Sequence, residues 1–103
     1  MKDLQAKVRA FVAKHNLVHA NEISVLDLVS EVGEVAKEIL KGINYGKKPF
    51  KKTEETKEEI GDLFYSLITL ANTLEIDLEE ALNLVLNKYE ERMKNSKSAG
   101  SGR

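Results

Sequence analysis

The 103-residue sequence predicts an all-α fold, a four-helix bundle-like subunit formed by one small domain. Apolar residues recur at the period of an amphipathic helix along almost the whole chain. No stretch sustains the strict apolar and polar alternation of a half-buried strand. Gly46 and the single proline, Pro49, both fall in the segment 42–53, which is therefore predicted to be the main loop.

The N-terminal half predicts two helices. Helix 1 covers about residues 3–15. Its apolar face is formed by Leu4, Val8, Phe11 and Val12. Helix 2 begins near Ser24, because Ser24 and Asp27 have the spacing of a capping box with Asp in place of Glu. It ends at Gly42, since glycine readily adopts the left-handed conformation that follows many helices.

The C-terminal half predicts two more. Helix 3 starts within residues 53–56 and continues to about Leu74. Asp77 has the position of an N-cap for helix 4, which continues to the end of the domain. The domain is expected to span residues 1–95. The remaining residues, 96–103, are small and polar and are expected to be disordered.

Composition and charge exclude several classes of protein. With 17 acidic and 16 basic residues the net charge is −1, which argues against a nucleic-acid-binding domain. The absence of cysteine excludes disulfide frameworks and thiolate metal sites, and a cytoplasmic location is expected. The sequence contains neither a signal peptide nor the run of about 18 apolar residues that a membrane span requires.

Acidic residues border the apolar faces of helices 2 and 3. At about 100° per residue, four carboxylates of helix 2 share a stripe about 60° wide. They are Asp27, Glu31, Glu34 and Glu38. On helix 3, Glu59, Asp62 and Ser66 have the same angular positions relative to the apolar face. The adjoining apolar faces are formed by Leu28, Val29, Val32, Val35, Ala36 and Ile39, and by Leu63, Phe64, Leu67, Ile68, Leu70 and Ala71. If the helices pack antiparallel through these faces, the acids converge at the edge of the seam.

Converging carboxylates repel one another unless a cation lies between them. Oxygen ligands without His or Cys favour Mg²⁺ or Mn²⁺ over Zn²⁺, with Mg²⁺ the expected cofactor and Mn²⁺ a substitute. The four acids that could share such a cation are Glu31, Glu34, Glu59 and Asp62, and the alternative is that they are solvated surface acids beside lysines. A di-iron centre is excluded, because neither His15 nor His19 completes a Glu-x-x-His motif.

Gly33 and Gly61 lie in the middle of helices 2 and 3, each preceded by an acid and a β-branched residue and followed by another acid. A glycine inside a helix costs about 1 kcal/mol relative to alanine. The matched contexts favour a close approach between helix backbones at each glycine, with a tolerated surface glycine as the alternative.

Helix 4 carries basic residues beside its own apolar face. That face is formed by Leu78, Leu82, Val85, Tyr89 and Met93. Lys88 and Arg92 border it one turn apart, with Asn95 on the same side. An ammonium and a guanidinium group suit phosphate contacts. Basic residues near a helix C-terminus also complement its dipole, and the spacing alone leaves both readings open.

Four lysines lie within six positions of the loop. They are Lys47, Lys48, Lys51 and Lys52. Such a run can be a solvated loop or a basic flap that attracts polyphosphate. Side chains able to stack on or bond a base are His15, His19, Tyr45 and Phe50. The candidate substrate contacts are His15, Tyr45, Lys48 and Asn95, with packing or surface roles as the alternative.

The ordered motifs EVGE (31–34), EIGD (59–62) and KYEER (88–92) resemble the MazG-like all-α nucleotide pyrophosphohydrolases. The matching segments are LVSEVGEVAKEILKG, EEIGDLFYSLITLA and IDLEEALNLVLNKYEERM, so the resemblance covers about residues 20–94. It implies a homodimer or tetramer that binds Mg²⁺ and hydrolyses nucleoside triphosphates to a nucleoside monophosphate and pyrophosphate.

By matched position, the resemblance assigns the four motif acids to the metal and Lys88 and Arg92 to the phosphates. Many relatives carry a further Glu directly before the first motif acid, where this chain has Ser30. The proton acceptor is therefore expected to be Glu38, one turn beyond the motif, or a motif acid such as Glu31.

Three alternatives remain at this point. A specialised relative, either dUTPase-like or a phosphoribosyl-ATP pyrophosphohydrolase, would use the same metal site for another base or sugar. A non-catalytic helical dimerisation module would self-associate without stabilisation by Mg²⁺. A nucleic-acid-binding protein using the lysine loop is disfavoured by the near-zero net charge.

Overall fold

The computed structural model describes residues 1–96, which form four helices and no strand. The helices are α1 (Lys2–Lys14), α2 (Asn21–Gly42), α3 (Glu54–Thr73) and α4 (Leu78–Ser96). The all-α prediction and the number of helices are confirmed. The predicted disordered tail lies outside the described residues, apart from Ser96 at the end of α4.

The most extensive packing joins α2 to α3, and α1 packs on α3. The two central helices run antiparallel, because Ser24 near the start of α2 lies beside Thr69 near the end of α3. At the opposite end, Lys41 lies beside Thr56. This is the arrangement that the acid prediction required.

A buried glutamine joins α1 to the turn between α3 and α4. Gln5 is only 5% exposed. Its Nε2 donates to Asn72 Oδ1 at 3.0 Å and to the Ile76 carbonyl at 2.8 Å. Its Oε1 accepts from the Leu78 backbone N–H at 2.8 Å, so the same side chain fixes the first residue of α4. Sequence periodicity did not single out this polar residue.

Replacing Gln5 with leucine is expected to lower the free energy of unfolding by about 2 kcal/mol. The substitution removes the partners of the Ile76 carbonyl and the Leu78 N–H, and a part-buried polar group without a partner costs about 1–3 kcal/mol. Urea denaturation measures the change. Lys7→Leu, at an exposed position of α1, is the control and should change stability by about 0.5 kcal/mol or less. Equal stability of the two variants would contradict this role.

Of the two predicted helix caps, Asp77 is confirmed, and Thr53, within the predicted start of helix 3, also caps its helix. Thr53 Oγ1 accepts from the Thr56 N–H at 3.3 Å, and Asp77 Oδ1 accepts from the N–H groups of Glu79 and Glu80. The prediction of Ser24 as a cap was wrong. Helix α2 begins earlier, and the Ser24 N–H already donates to the Ala20 carbonyl at 3.1 Å.

The predicted roles of three glycines were also wrong. A Cβ built on Gly33 or Gly61 would meet no atom of the described chain within 4 Å, so neither permits a close helix approach within one chain. Gly42 is the last residue of α2, and the left-handed conformation falls later, at residues 44–46. The space at Gly42 is needed by Phe50, whose ring carbon would lie 2.6 Å from an added Cβ.

The predicted apolar faces are largely open in the single chain. Within the described residues, the buried hydrophobic side chains are Val12, Ile68 and Ala71. Helix α4 is held at its first turn and packs closely on no other helix in the described range, so the single chain does not close a complete bundle. Leu82 and Leu84 on α4 are 55% and 71% exposed. No helix within residues 1–96 combines the length and hydropathy of a membrane span.

Candidate metal centre

Three carboxylates meet at the edge of the seam between α2 and α3. Glu31 comes from α2, and Glu59 and Asp62 come from consecutive turns of α3. Each offers one oxygen, and these oxygens all lie within 4.8 Å of one another. The convergence expected from the helical phases is therefore found for three of the four predicted ligands. Glu34 lies outside this group. Its negative charge nevertheless raises the pKa values of Glu31 and Glu59.

Partial burial, followed by the neighbouring negative charges, makes ionisation of Glu31 and Glu59 less favourable. Partial burial raises the pKa of Glu31 above its ordinary value of 4.5, and nearby carboxylates raise it further. Those carboxylates are Asp62, Glu34 and Asp27. The pKa of Glu59 is raised by the same two causes. Its neighbouring carboxylates are Asp62, Glu34, Glu31 and Glu38.

This donor set fits a hard divalent cation. All three donors are carboxylates, the ligands that Mg²⁺ and Mn²⁺ prefer. Two oxygens on opposite sides of one Mg²⁺ lie about 4.2 Å apart. The carboxylates of Glu31, Glu59 and Asp62 therefore need only small side-chain movements to share an ion, and the ion would relieve their mutual repulsion.

A small polar cavity adjoins the acids on one side. Its volume is about 90 Å³. Its lining is formed by Leu17, His19, Ser24, Asp27, Tyr65, Ser66 and Thr69. Asp27 and Ser66 connect it to the acids, since each lies about one turn from a cluster member. The Ser24 hydroxyl is buried here and finds no hydrogen-bond partner in the described part of the chain.

A larger cavity with several lysines adjoins the acids on the other side. This lysine cavity has a volume of about 310 Å³. It is lined by Glu38, Lys41, Gly42, Lys48, Lys51, Thr53, Glu55 and Thr56. Glu38 links the lysine cavity to the acids, because its negative charge also raises the pKa of Glu59. The Lys41 ammonium lies 3.3 Å from the Glu38 carboxylate.

The remaining predicted contacts lie apart from the cluster in the single chain. Lys88 and Asn95 are exposed on α4. The Arg92 guanidinium lies 5.6 Å from the centre of the Tyr89 ring on the same helix. Tyr45 is 67% exposed in the loop. No lysine or arginine of α4 is among the charges that shift the pKa values of Glu31 and Glu59.

The two histidines differ in position. His15 packs on Phe11, with ring centroids 4.6 Å apart, whereas His19 lines the small polar cavity.

Sequence reasoning placed Ser66 on the acidic stripe but did not identify Tyr65 or Thr69 as cavity residues. The signal was incomplete, because the cavity combines residues from the start of α2, the C-terminal half of α3 and the turn before α2.

Comparison with known proteins identifies relatives over most of the chain. The family model for the MazG nucleotide pyrophosphohydrolase domain matches residues 19–96. The Bacillus subtilis (strain 168) protein YpjD is 40% identical over 98 residues, which are 91% of this chain and 86% of YpjD.

Solved structures give the same relationship. A Bacillus-conserved MazG protein, described as a nucleotide pyrophosphohydrolase, superposes with a TM-score of 0.73 at 34% identity, over 85% of this chain and 86% of that one. The crystal structure of Bacillus subtilis YpjD superposes with a TM-score of 0.74 at 39% identity, over 89% and 94% of the two chains. Sequence and fold therefore point to the same family.

Proposed function

Since the chain belongs to the MazG nucleotide pyrophosphohydrolase family, and is thus a hydrolase of nucleotide pyrophosphate bonds, we propose that it converts nucleoside triphosphates to nucleoside monophosphates and pyrophosphate with Mg²⁺. The observation that carries this proposal is the meeting of Glu31, Glu59 and Asp62 within 4.8 Å. A carboxylate cluster of this kind suits the magnesium complex of a polyphosphate.

Glu31, Glu34, Glu59 and Asp62 are the proposed ligands of Mg²⁺, with Mn²⁺ as a substitute. Glu34 is included because it lies about one turn from Glu31 on α2 and its charge is among those that raise the pKa values of Glu31 and Glu59. A bound divalent ion neutralises phosphate charge and makes a bound water a stronger nucleophile.

The reaction consumes one water across the phosphoanhydride. The water oxygen bonds to the attacked phosphorus, and the bond from that phosphorus to the bridging oxygen breaks, leaving its electron pair on the bridging oxygen. The proposed acceptor of the water proton is Glu38, with Glu31 as the alternative. The Glu38 side chain is 18% exposed and pairs with Lys41 at 3.3 Å, and its charge is among those that raise the pKa of Glu59.

Lys88 and Arg92 are the proposed phosphate contacts. They lie on α4, whose exposed apolar side chains include Leu82 and Leu86, both at least 50% exposed. Burial of that surface in a homodimer or tetramer can bring these cations over the acids of the assembly. Of the predicted substrate contacts, Lys48 borders a cavity beside the acids. His15, Tyr45 and Asn95 stay as predictions for the assembled site.

The direct test is a panel of nucleoside triphosphates incubated with Mg²⁺ and assayed for both pyrophosphate and orthophosphate. We expect at least one substrate to give equimolar monophosphate and pyrophosphate, with release abolished by EDTA. Including dUTP and phosphoribosyl-ATP distinguishes the specialised relatives by their products. Failure of the folded protein to release pyrophosphate from every member would contradict the proposal and favour the non-catalytic dimerisation module.

A further inference from the structure

We propose that the lysine cavity binds the pyrophosphate end of the substrate and then the leaving pyrophosphate. The triphosphate would thus lie along the seam with its terminal phosphates toward the C-terminal end of α2. This inference rests on the proposed function, because it assigns an orientation to the same substrate. Its ligand class is pyrophosphate, free or complexed with Mg²⁺.

The charge of the cavity favours an anion. Three lysines and two glutamates line it, and one glutamate, Glu38, already pairs with Lys41 at 3.3 Å. Lys48 and Lys51 form no ion pair within the described chain, so their ammonium groups are available to a ligand. Two ammonium groups lining one cavity suit a diphosphate, which carries several negative charges.

The lysine cavity lies at the end of the seam beyond the candidate metal centre, toward the C-terminus of α2. Glu38 lines the cavity, and its carboxylate is also among the charges that act on Glu59. Along α2, Glu38 lies seven positions after Glu31, which corresponds to a rise of about 10 Å. A polyphosphate held at the acids can therefore extend into the lysine cavity without leaving the seam.

The cavity on the opposite side of the acids is unsuited to the same anion. The small polar cavity contains the acid Asp27, and its lining includes no lysine or arginine. Its volume of about 90 Å³ is also less than a third of the lysine cavity's 310 Å³. Electrostatics therefore favours the substrate orientation in which the terminal phosphates point toward the lysine cavity.

The loop that carries these lysines is fixed to α2. The Phe50 ring lies against Gly42, where an added Cβ would be 2.6 Å from a ring carbon. Phe50 lies between the two cavity lysines in the sequence, so this contact holds both beside the end of α2. Lys47 and Lys52 flank the same segment but do not line the cavity, which makes them matched controls.

Titration calorimetry tests the proposal with pyrophosphate as the probe, in the presence and absence of Mg²⁺, on the full chain. The double variant Lys48→Gln, Lys51→Gln is expected to bind pyrophosphate about tenfold or more weakly, because it removes both unpaired ammonium groups. The control Lys47→Gln, Lys52→Gln removes the same charge and should weaken binding by about twofold or less. The affinity for the nucleoside monophosphate product should change in neither variant.

Three results would overturn the proposal: no binding of pyrophosphate by the wild type, equal weakening in both double variants, or weakening of monophosphate binding in place of pyrophosphate binding. The double variant Lys48→Arg, Lys51→Arg should recover most of the affinity. Because binding is measured without turnover, the two proposals can fail separately. Lysine-dependent binding without hydrolysis of any triphosphate would refute the enzymatic function alone. Hydrolysis with lysine-independent pyrophosphate binding would refute the cavity assignment alone.

Discussion

Asp62→Asn and Glu34→Gln are each expected to reduce kcat for triphosphate hydrolysis by about a thousandfold or more while leaving the fold intact. Each substitution removes one negative ligand from the proposed metal site, and several kcal/mol of transition-state stabilisation depend on that ion. The metal-free variants should be as stable as the wild type or more stable, because the charge of each wild-type residue raises the pKa of both Glu31 and Glu59 through repulsion.

Steady-state kinetics measures the expected loss of kcat. Thermal melting with and without Mg²⁺ measures the expected stability of the two variants. The control is Glu58→Gln, the same chemical change at an exposed position of α3 that does not act on the cluster. It should retain near-wild-type kcat and the stabilisation by Mg²⁺ that both ligand variants lose. If Asp62→Asn and Glu34→Gln unfold, the acids are structural, and if both remain active, the metal assignment is wrong.

The stability of the metal-free protein, measured by the same melting experiment, should depend on pH in a defined direction. In the metal-free wild type, the raised pKa values of Glu31 and Glu59 mean that the folded chain binds protons more readily than the unfolded chain. Stability should therefore increase as the pH falls through the raised values toward 4.5, and decrease as it rises through them. The stability advantage of Asp62→Asn should accordingly be largest near neutral pH and shrink on acidification.

Leu82→Glu is expected to weaken self-association by about thirtyfold or more, and to reduce activity with it. The apolar side chain is 55% exposed on α4, a helix that packs closely on no other helix in the described chain. Burial of this face in an assembly is the proposed way to cover it, and a charge at a buried apolar contact typically costs at least about 2 kcal/mol. Activity should fall too, because Lys88 and Arg92 lie on the same helix.

Light scattering over a range of concentrations measures the association against the 11.6 kDa mass of one chain. Asn83→Glu adds the same charge at the neighbouring exposed position and should leave the assembly intact. Because Leu82 is already more than half exposed in the single chain, its loss should not unfold the helix. A fully active wild type that remains at the single-chain mass at every concentration would refute the proposed assembly.

Local structure was predictable from the sequence because it depends on neighbours along the chain. The helical period identified the four helices, and the hydrogen bonds of Thr53 and Asp77 span only two or three residues. The positions of Glu31, Glu59 and Asp62 around their helices follow from the fixed rotation per residue. Once antiparallel packing is granted, their convergence follows too, which is why the candidate site was largely predictable.

The tertiary structure decided what depends on distant partners. Gln5 is buried because Asn72, 67 residues away, bonds to it, and no local pattern encodes that partner. Ser24 has the sequence context of a cap, yet α2 begins before it and α3 covers it. Likewise, four similar lysines in one loop became two cavity residues and two outside it, because Phe50 packs on Gly42. Period and capping act over a few bonds, whereas burial, cavities and unpaired charges arise only when separate helices meet.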